Sequence, residues 1–282
     1  DTSTNPTTTR ISETAIQFTN PYQSSFRAFL GYRLWDCGGD IQFTYWRLTG
    51  DGSAAGNGTA GPGTATNIGG QLELNAGNGQ FIQARSSVTA NIYDLDFAKC
   101  LSFGGPSSPC DTCFCPGWDV RWLAGLRVAN INRHDDNTIG TTATGGATNF
   151  GNIHANFTGA GPRVGSQIRR YFGQRGVFSA YAKGNMALLV GDYHLDRTRL
   201  TPGQNLTETR HDSVARMIPV SEIEIGGSWQ VAPRAFISTG WFFQAWWDLG
   251  QTEGIGGTNI GPMDTSNILA FDGWFVRGEI LF

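Results

Sequence analysis

Three sets of residues in this 282-residue chain have types and spacings that could do chemistry. His134-Asp135-Asp136, Asp192 with His194, and His211-Asp212 set an imidazole beside a carboxylate, a pairing that can orient a water or a hydroxyl for general-base attack. Exposed loops collect such residues without any catalytic role, so no catalytic residue is assigned. The second set is Cys37, Cys100, Cys110, Cys113 and Cys115. Cys110-Asp111-Thr112-Cys113 with Cys115 approaches the thiolate spacing of zinc sites, but no His is near and a second properly spaced pair is lacking, so no metal is assigned. Disulfides are the leading reading for an oxidising compartment, and free inert thiols are the third. An odd number of thiols cannot all pair within one chain. One is left over, or bridges to a second protomer or to another envelope protein.

The third set is cationic. Arg27, Arg33, Arg85, Arg121, Arg127, Arg163, Arg169, Lys183 and Arg277 recur on the polar side of alternating segments, against Asp40, Asp119, Glu222, Glu224 and Glu279. If that side lines a lumen, its basic excess favours anions, because rings of basic side chains select by sign. The alternative is that Arg and carboxylate pairs fill a narrow barrel and block it.

Such a face requires strands to present it. From Phe26 onward the chain reads as runs with period-two alternation, separated alternately by tight turns and long Gly/Thr/Asn-rich connections, the signature of antiparallel hairpins. The runs are Phe26 to Leu34, Asp40 to Leu48, about Ile82 to Phe97, Trp118 to Asn132, Asn149 to Phe172, Val177 to Tyr193, Ser213 to Gln230, Ala235 to Leu249, and Ile268 to Phe282. Short turns on one side and long loops on the other are the anatomy of an outer-membrane barrel, with the turns periplasmic. An even count then needs an ascending strand before Phe26, and Arg10 to Asn20 is the candidate, pairing with the closing strand. The expectation is an all-β, transmembrane, antiparallel up-and-down β-barrel of about ten strands, with twelve if a long loop hides a hairpin. It spans residues 1–282 as one domain, with a flexible segment at 1–9, a long extracellular loop at 49–79 and a Cys-rich periplasmic turn at 99–117.

Face assignments follow from the alternation. Val120, Trp122, Ala124, Leu126 and Val128 oppose Asp119, Arg121, Leu123, Gly125 and Arg127, and Trp274, Val276 and Ile280 oppose Arg277 and Glu279. A soluble sandwich alternates too, but the aromatic residues gather at strand ends. Trp35, Trp118, Trp122, Trp229 and Phe282 lie near the short turns and Trp46, Trp246 and Trp247 near the long loops, as in the two aromatic girdles of a membrane barrel.

Composition agrees. Lys plus Arg number 20 against 23 Asp plus Glu, a formal net charge of -3, which lacks the basic excess of a general nucleic-acid binder. Apolar runs such as Met186 to Val190 fall far short of the roughly 20 residues of a membrane helix. The polar start, Asp1 to Pro6, has neither the charged nor the apolar region of a signal peptide, which suits a mature terminus. No Gly-rich segment continues into the Lys-Ser/Thr of a phosphate-binding loop, and no cofactor is assigned.

The segments Trp118 to Arg127, Asn156 to Gly165 and Ala187 to Asp192, with Pro219 to Gly227 and the terminal Phe, resemble the pore-forming outer-membrane barrels widespread in planctomycete-type bacteria and described as porins. The likeness covers roughly Tyr93 to Phe282. It implies an outer-membrane location and a pore, and it carries over no catalytic residues. The residues by themselves support two roles: a porin-like channel for passive diffusion of small solutes, or a non-conducting structural barrel joined to envelope partners or to copies of itself. A third, enzymatic reading compares the His/Asp pairs with the rim of outer-membrane proteases. Outer-membrane lipid and small solutes are the expected partners.

Overall fold

The computed structural model describes residues 12–16, 23–34, 39–57, 64–68, 72–76, 79–103, 117–141, 147–172, 177–201, 206–250, 253–254 and 267–281. These contain no helix and thirteen strands: β1 (Ser12–Ile16), β2 (Phe26–Arg33), β3 (Asp40–Asn57), β4 (Thr64–Ile68), β5 (Leu72–Ala76), β6 (Gln80–Phe103), β7 (Trp118–Thr141), β8 (Ala147–Phe172), β9 (Phe178–Thr201), β10 (Leu206–Ala232), β11 (Ala235–Gly250), β12 (Glu253–Gly254) and β13 (Asn267–Ile280). Nine of them form one up-and-down sheet in the order β13-β11-β10-β9-β8-β7-β6-β3-β2. Every neighbouring pair in it is antiparallel.

The sheet is rolled upon itself. Arg27 of β2 reaches Glu222 of β10 at 3.1 Å, and the Trp46 ring of β3 meets Phe242 of β11 edge-on at 5.3 Å between centroids, although these strands are far apart in the sheet order. The roll is open between β2 and β13, which do not pair. Both run from the long-connection end to the short-turn end, so they cannot make an antiparallel ladder with each other. The strand expected between them lies elsewhere: the described part of Arg10 to Asn20, β1, pairs in parallel with β4 in a small separate sheet, β1-β4-β5-β12. The segment at 1–9 lies outside the described residues.

Strand length is the main departure from the expectation. Thr49 to Asn57 belongs to β3 and pairs with Phe81 to Thr89, His134 to Thr141 belongs to β7, Leu195 to Thr201 to β9, and Cys100 to Phe103 to β6. The connections assigned to 49–79 and 99–117 are correspondingly shorter. The reason is a reversal of the alternation partway along each strand. On β7, Leu126 and Val128 point outward, 58% and 45% exposed, around a buried Arg127. Two residues on, the buried side carries Ala129 and Ile131 and the outer side Asn130, Asn132, His134 and Asp136. β8 and β9 reverse at the same height: Val164 and Met186 are outward below it, while Ile153, Phe157, Leu189 and Leu195 are fully buried above it. An outer wall that is apolar below and polar above is what a strand passing from lipid into water requires.

The upper interior is a continuous apolar core built around Trp46, Ile92, Phe157, Leu189, Tyr193 and Trp246, each such side chain contributing about 1.5–3 kcal/mol on full burial. Trp46 and Trp246 are therefore core residues, 3% and 0% exposed, and not girdle residues on the lipid side. Trp118, Trp122, Trp229 and Trp247 are exposed, and Trp35 and Phe282 lie outside the described residues.

Candidate functional site

Below the apolar core, the interior carries a charged cluster whose members are set by register. Asp94 of β6 lies directly opposite Arg127 of β7, and the guanidinium holds both carboxylate oxygens, Nε to Oδ1 at 2.6 Å and Nη2 to Oδ2 at 2.8 Å. The same Nη2 reaches Glu222 of β10 at 2.9 Å. Arg163 of β8 donates to Asp96 and stands 3.5 Å from Asp94 and 3.9 Å from Glu222. Asp96 has room for this because Gly125 is opposite it: a Cβ at Gly125 would lie 2.4 Å from Oδ1 of Asp96. Glu222 and Glu224, two residues apart and so on one face of β10, are met from the far side of the roll. Arg27 bridges both, at 3.1 and 3.5 Å, and Arg277 of β13 holds Glu224 at 3.0 Å. Tyr181 donates to the same Glu224 oxygen at 2.7 Å and accepts from Arg277 at 2.8 Å.

These groups are buried: Arg127, Arg163, Asp94, Asp96, Glu222 and Glu224 are all between 1% and 3% exposed. Removing such charges from water is costly, and the bidentate and shared contacts offset that cost. The arrangement ties β2, β6, β7, β8, β10 and β13 together across the interior.

Beside the cluster runs a cavity of about 2050 Å³. One end is lined by Asp40, Asp119, Arg121 and Tyr171, the middle by Arg27, Lys183, Glu224 and Arg277, and the other end by Thr49 to Gly52, Ser86, Val88 and Arg133. It therefore extends from the short-turn end of the sheet past the height at which the alternation reverses. β2 and β13 bound it on the open side of the roll.

The sequence-predicted residues divide between these features. Arg127, Arg163 and Glu222 are locked in the cluster. Arg27, Arg33, Arg121, Arg169, Lys183, Glu224, Arg277 and Glu279 line the cavity, with Arg121 on Asp40 at 2.8 Å and Arg33 on it at 3.5 Å. The Arg169 guanidinium lies over the Tyr181 ring at 5.5 Å. Arg85 is a correction: it is exposed on the outer face while its neighbour Ala84 is buried, because β6 presents even-numbered residues inward. Asp94 and Asp96 were missed on the same strand, and Arg133 with Asp135, paired at 2.6 Å in the upper interior, on β7. An even-numbered inward face traced through Ile82, Ile92 and Ala98 would have found both aspartates.

The His/Asp pairs adjacent in sequence do not form dyads. Alternation sends His134 outward and Asp135 inward, where it is 0% exposed, and Asp212 turns to Arg197 at 2.5 Å. The contacts that exist run between strands or two residues apart: His211 Nδ1 to Asp196 Oδ1 at 2.6 Å, and His134 Nε2 to Asp136 Oδ2 at 3.2 Å. Among the described residues no group of three or more His, Cys, Asp or Glu side chains is arranged to hold a metal ion. Cys100 lies on β6 opposite Arg121 and lines the cavity. Cys37, Cys110, Cys113 and Cys115, and with them any disulfide pairing, lie outside the described residues.

Compared with known proteins, the whole chain, residues 1–282, matches a family model described as Legionella pneumophila major outer membrane protein precursor. No curated protein and no solved structure matches it.

Proposed function

Because the chain belongs to the Legionella pneumophila major outer membrane protein family, and so is a porin-like protein of the bacterial outer membrane, we propose that it conducts small solutes by passive diffusion, with a preference for anions. The observation that carries this reading is the cavity of about 2050 Å³ running beside the charged cluster. Its charged lining supports the sign. Arg27, Arg33, Arg121, Arg169, Lys183 and Arg277 contribute cations, while the inward-facing carboxylates are Asp40, Asp119, Glu224 and Glu279; Arg133 is buried and paired with Asp135. Arg127 and Arg163 do not enter this balance, since both are 1% exposed and neutralised by Asp94, Asp96 and Glu222.

Planar-bilayer recording of the purified chain is expected to show stepwise conductance, with a reversal potential in a KCl gradient that reports anion preference. Neutralising Arg121 and Arg169 is expected to shift that potential toward zero selectivity without loss of conductance. Well-folded protein that never conducts would overturn the channel reading.

The second reading, a non-conducting structural barrel joined to copies of itself or to other envelope proteins, draws on the filled interior, where Phe157, Leu189 and Trp246 are 0% exposed above the cluster. The same recording separates the two. The narrower likeness to planctomycete-type barrels rests on Trp118 to Arg127 and Asn156 to Gly165 and adds no separate role.

A further inference from the structure

The outer wall below the height of the reversal is apolar almost throughout, which makes its few charges informative. Among the described residues of β6 to β10 that point outward there, only Lys99 and Arg170 are charged, and none is a carboxylate. Arg170 lies at the short-turn end of β8, directly across from Trp118 of β7 and two residues before Phe172, so on the same face as it. All three side chains are exposed. The Arg170 guanidinium carbon stands 5.0 Å from the centroid of the Trp118 ring and 5.5 Å from that of Phe172. Among the described residues no side chain accepts a hydrogen bond from this guanidinium or forms an ion pair with it.

Aromatic rings attract the flat face of a guanidinium and leave its in-plane N–H groups free. Those groups match two oxygens of a phosphate. The wall beside them is open: across β9 and β10 the row of Arg170 continues as Ala180 and Gly227, and a Cβ at Gly227 would meet only the Ser179 carbonyl oxygen, at 3.8 Å. This shallow trough runs between an aromatic row, Phe172, Phe178 and Trp229, and an aliphatic row, Ile168, Ala182 and Ile225. Aromatic residues at strand ends sit at the level of the lipid headgroups, so the anion that Arg170 meets there is lipid phosphate. We infer that Arg170, held by Trp118 and Phe172, binds the phosphate of one glycerophospholipid in the leaflet at the short-turn end, with the body of that lipid lying along the Ala180–Gly227 trough. Because the described wall beside it offers no carboxylate to receive the ammonium of a zwitterionic headgroup, the site favours an anionic one. The site lies on the outside of the roll and does not depend on conduction.

The test is native mass spectrometry of the full chain folded in detergent micelles and given equal amounts of phosphatidylglycerol and phosphatidylethanolamine with the same acyl chains. The parent protein is expected to retain one phosphatidylglycerol in preference to the zwitterionic lipid, and inorganic phosphate at the same concentration is expected not to displace it. Arg170→Gln is expected to weaken that retention about tenfold, the scale of a lost charge-assisted hydrogen bond, and Lys99→Gln to leave it nearly unchanged. Arg170 is exposed and unpaired among the described residues, so Arg170→Gln is expected to fold; Trp118→Leu, which removes the ring that holds the guanidinium, is the second variant and is expected to lower retention as well. Equal retention of the two lipids by the parent, undiminished retention by Arg170→Gln, or an equal loss in Lys99→Gln overturns the site. Displacement by inorganic phosphate overturns it too, since the site would then take a free anion and not a lipid.

Discussion

Arg127 shows how a single side chain serves the interior. Its guanidinium takes both oxygens of Asp94 and one of Glu222, with 1% of the side chain exposed. Arg127→Ala would leave two carboxylates under-compensated in a low-dielectric interior, at a cost of about 3–5 kcal/mol. Unfolding in urea, followed by the loss of the compact species on unheated gels, is expected to show a large fall in midpoint, and an unchanged midpoint would contradict the cluster's structural role. Arg121 provides the contrast. It is 28% exposed and lies on the cavity at Asp40, so its neutralisation should alter selectivity more than stability.

At the scale of the element, β8 and β9 depend on a local interruption. Their ladder pairs Ala160 with Val190 and resumes at Arg163 with Ala187, leaving Gly161 and Pro162 out of register pairing on that side. Pro162 has no N–H to donate, and a Cβ at Gly161 would stand 1.8 Å from the Leu188 carbonyl oxygen. Gly161→Val must therefore push the two strands apart, an overpacking cost of about 1–3 kcal/mol or more. Gly184→Ala on β9 is the matched control, since a Cβ there meets nothing within 4 Å. Folding yield into micelles should fall for the first and hold for the second, and equal yields would show that the close approach is not needed. The alternation that made these elements legible was plain in Val177 to Tyr193, where Phe178, Met186 and Val190 face out and Ser179, Tyr181 and Asn185 are buried. Their full length was not, because the apolar face changes sides above Val128 and Val190, and a search for lipid-facing residues stops there.

For the whole molecule, the height of that reversal marks where the wall leaves the lipid. Met186, 67% exposed on β9, lies within the apolar band, and His194, on the same face of the same strand, lies above it. Met186→Arg is expected to cost about 2–4 kcal/mol when the protein is folded into liposomes, the range for a cation on the lipid face, and His194→Arg close to nothing. Equal effects in liposome unfolding would remove the reversal as a membrane boundary. The same outer face gathers His134, His154, Asp196 and His211 in one row across four strands, a juxtaposition of residues as much as 77 positions apart, from His134 to His211. No spacing rule finds it.

What the amino-acid sequence determined by itself was whatever depends on neighbours two residues apart: strand identity, hairpin order, the side of each strand that is polar, and the outer-membrane character of the wall. What only the tertiary structure decided was everything that depends on which strands meet across the interior. Asp94, Asp96, Glu222 and Glu224 come from two strands separated by three others in the sheet, and only rolling brings Arg27 and Arg277 to them from opposite edges. The buried carboxylates also take up Arg127 and Arg163 and so remove them from the cations open to a solute. Local alternation states the sign of a face, but charge balance in an interior is a property of the closed packing around it.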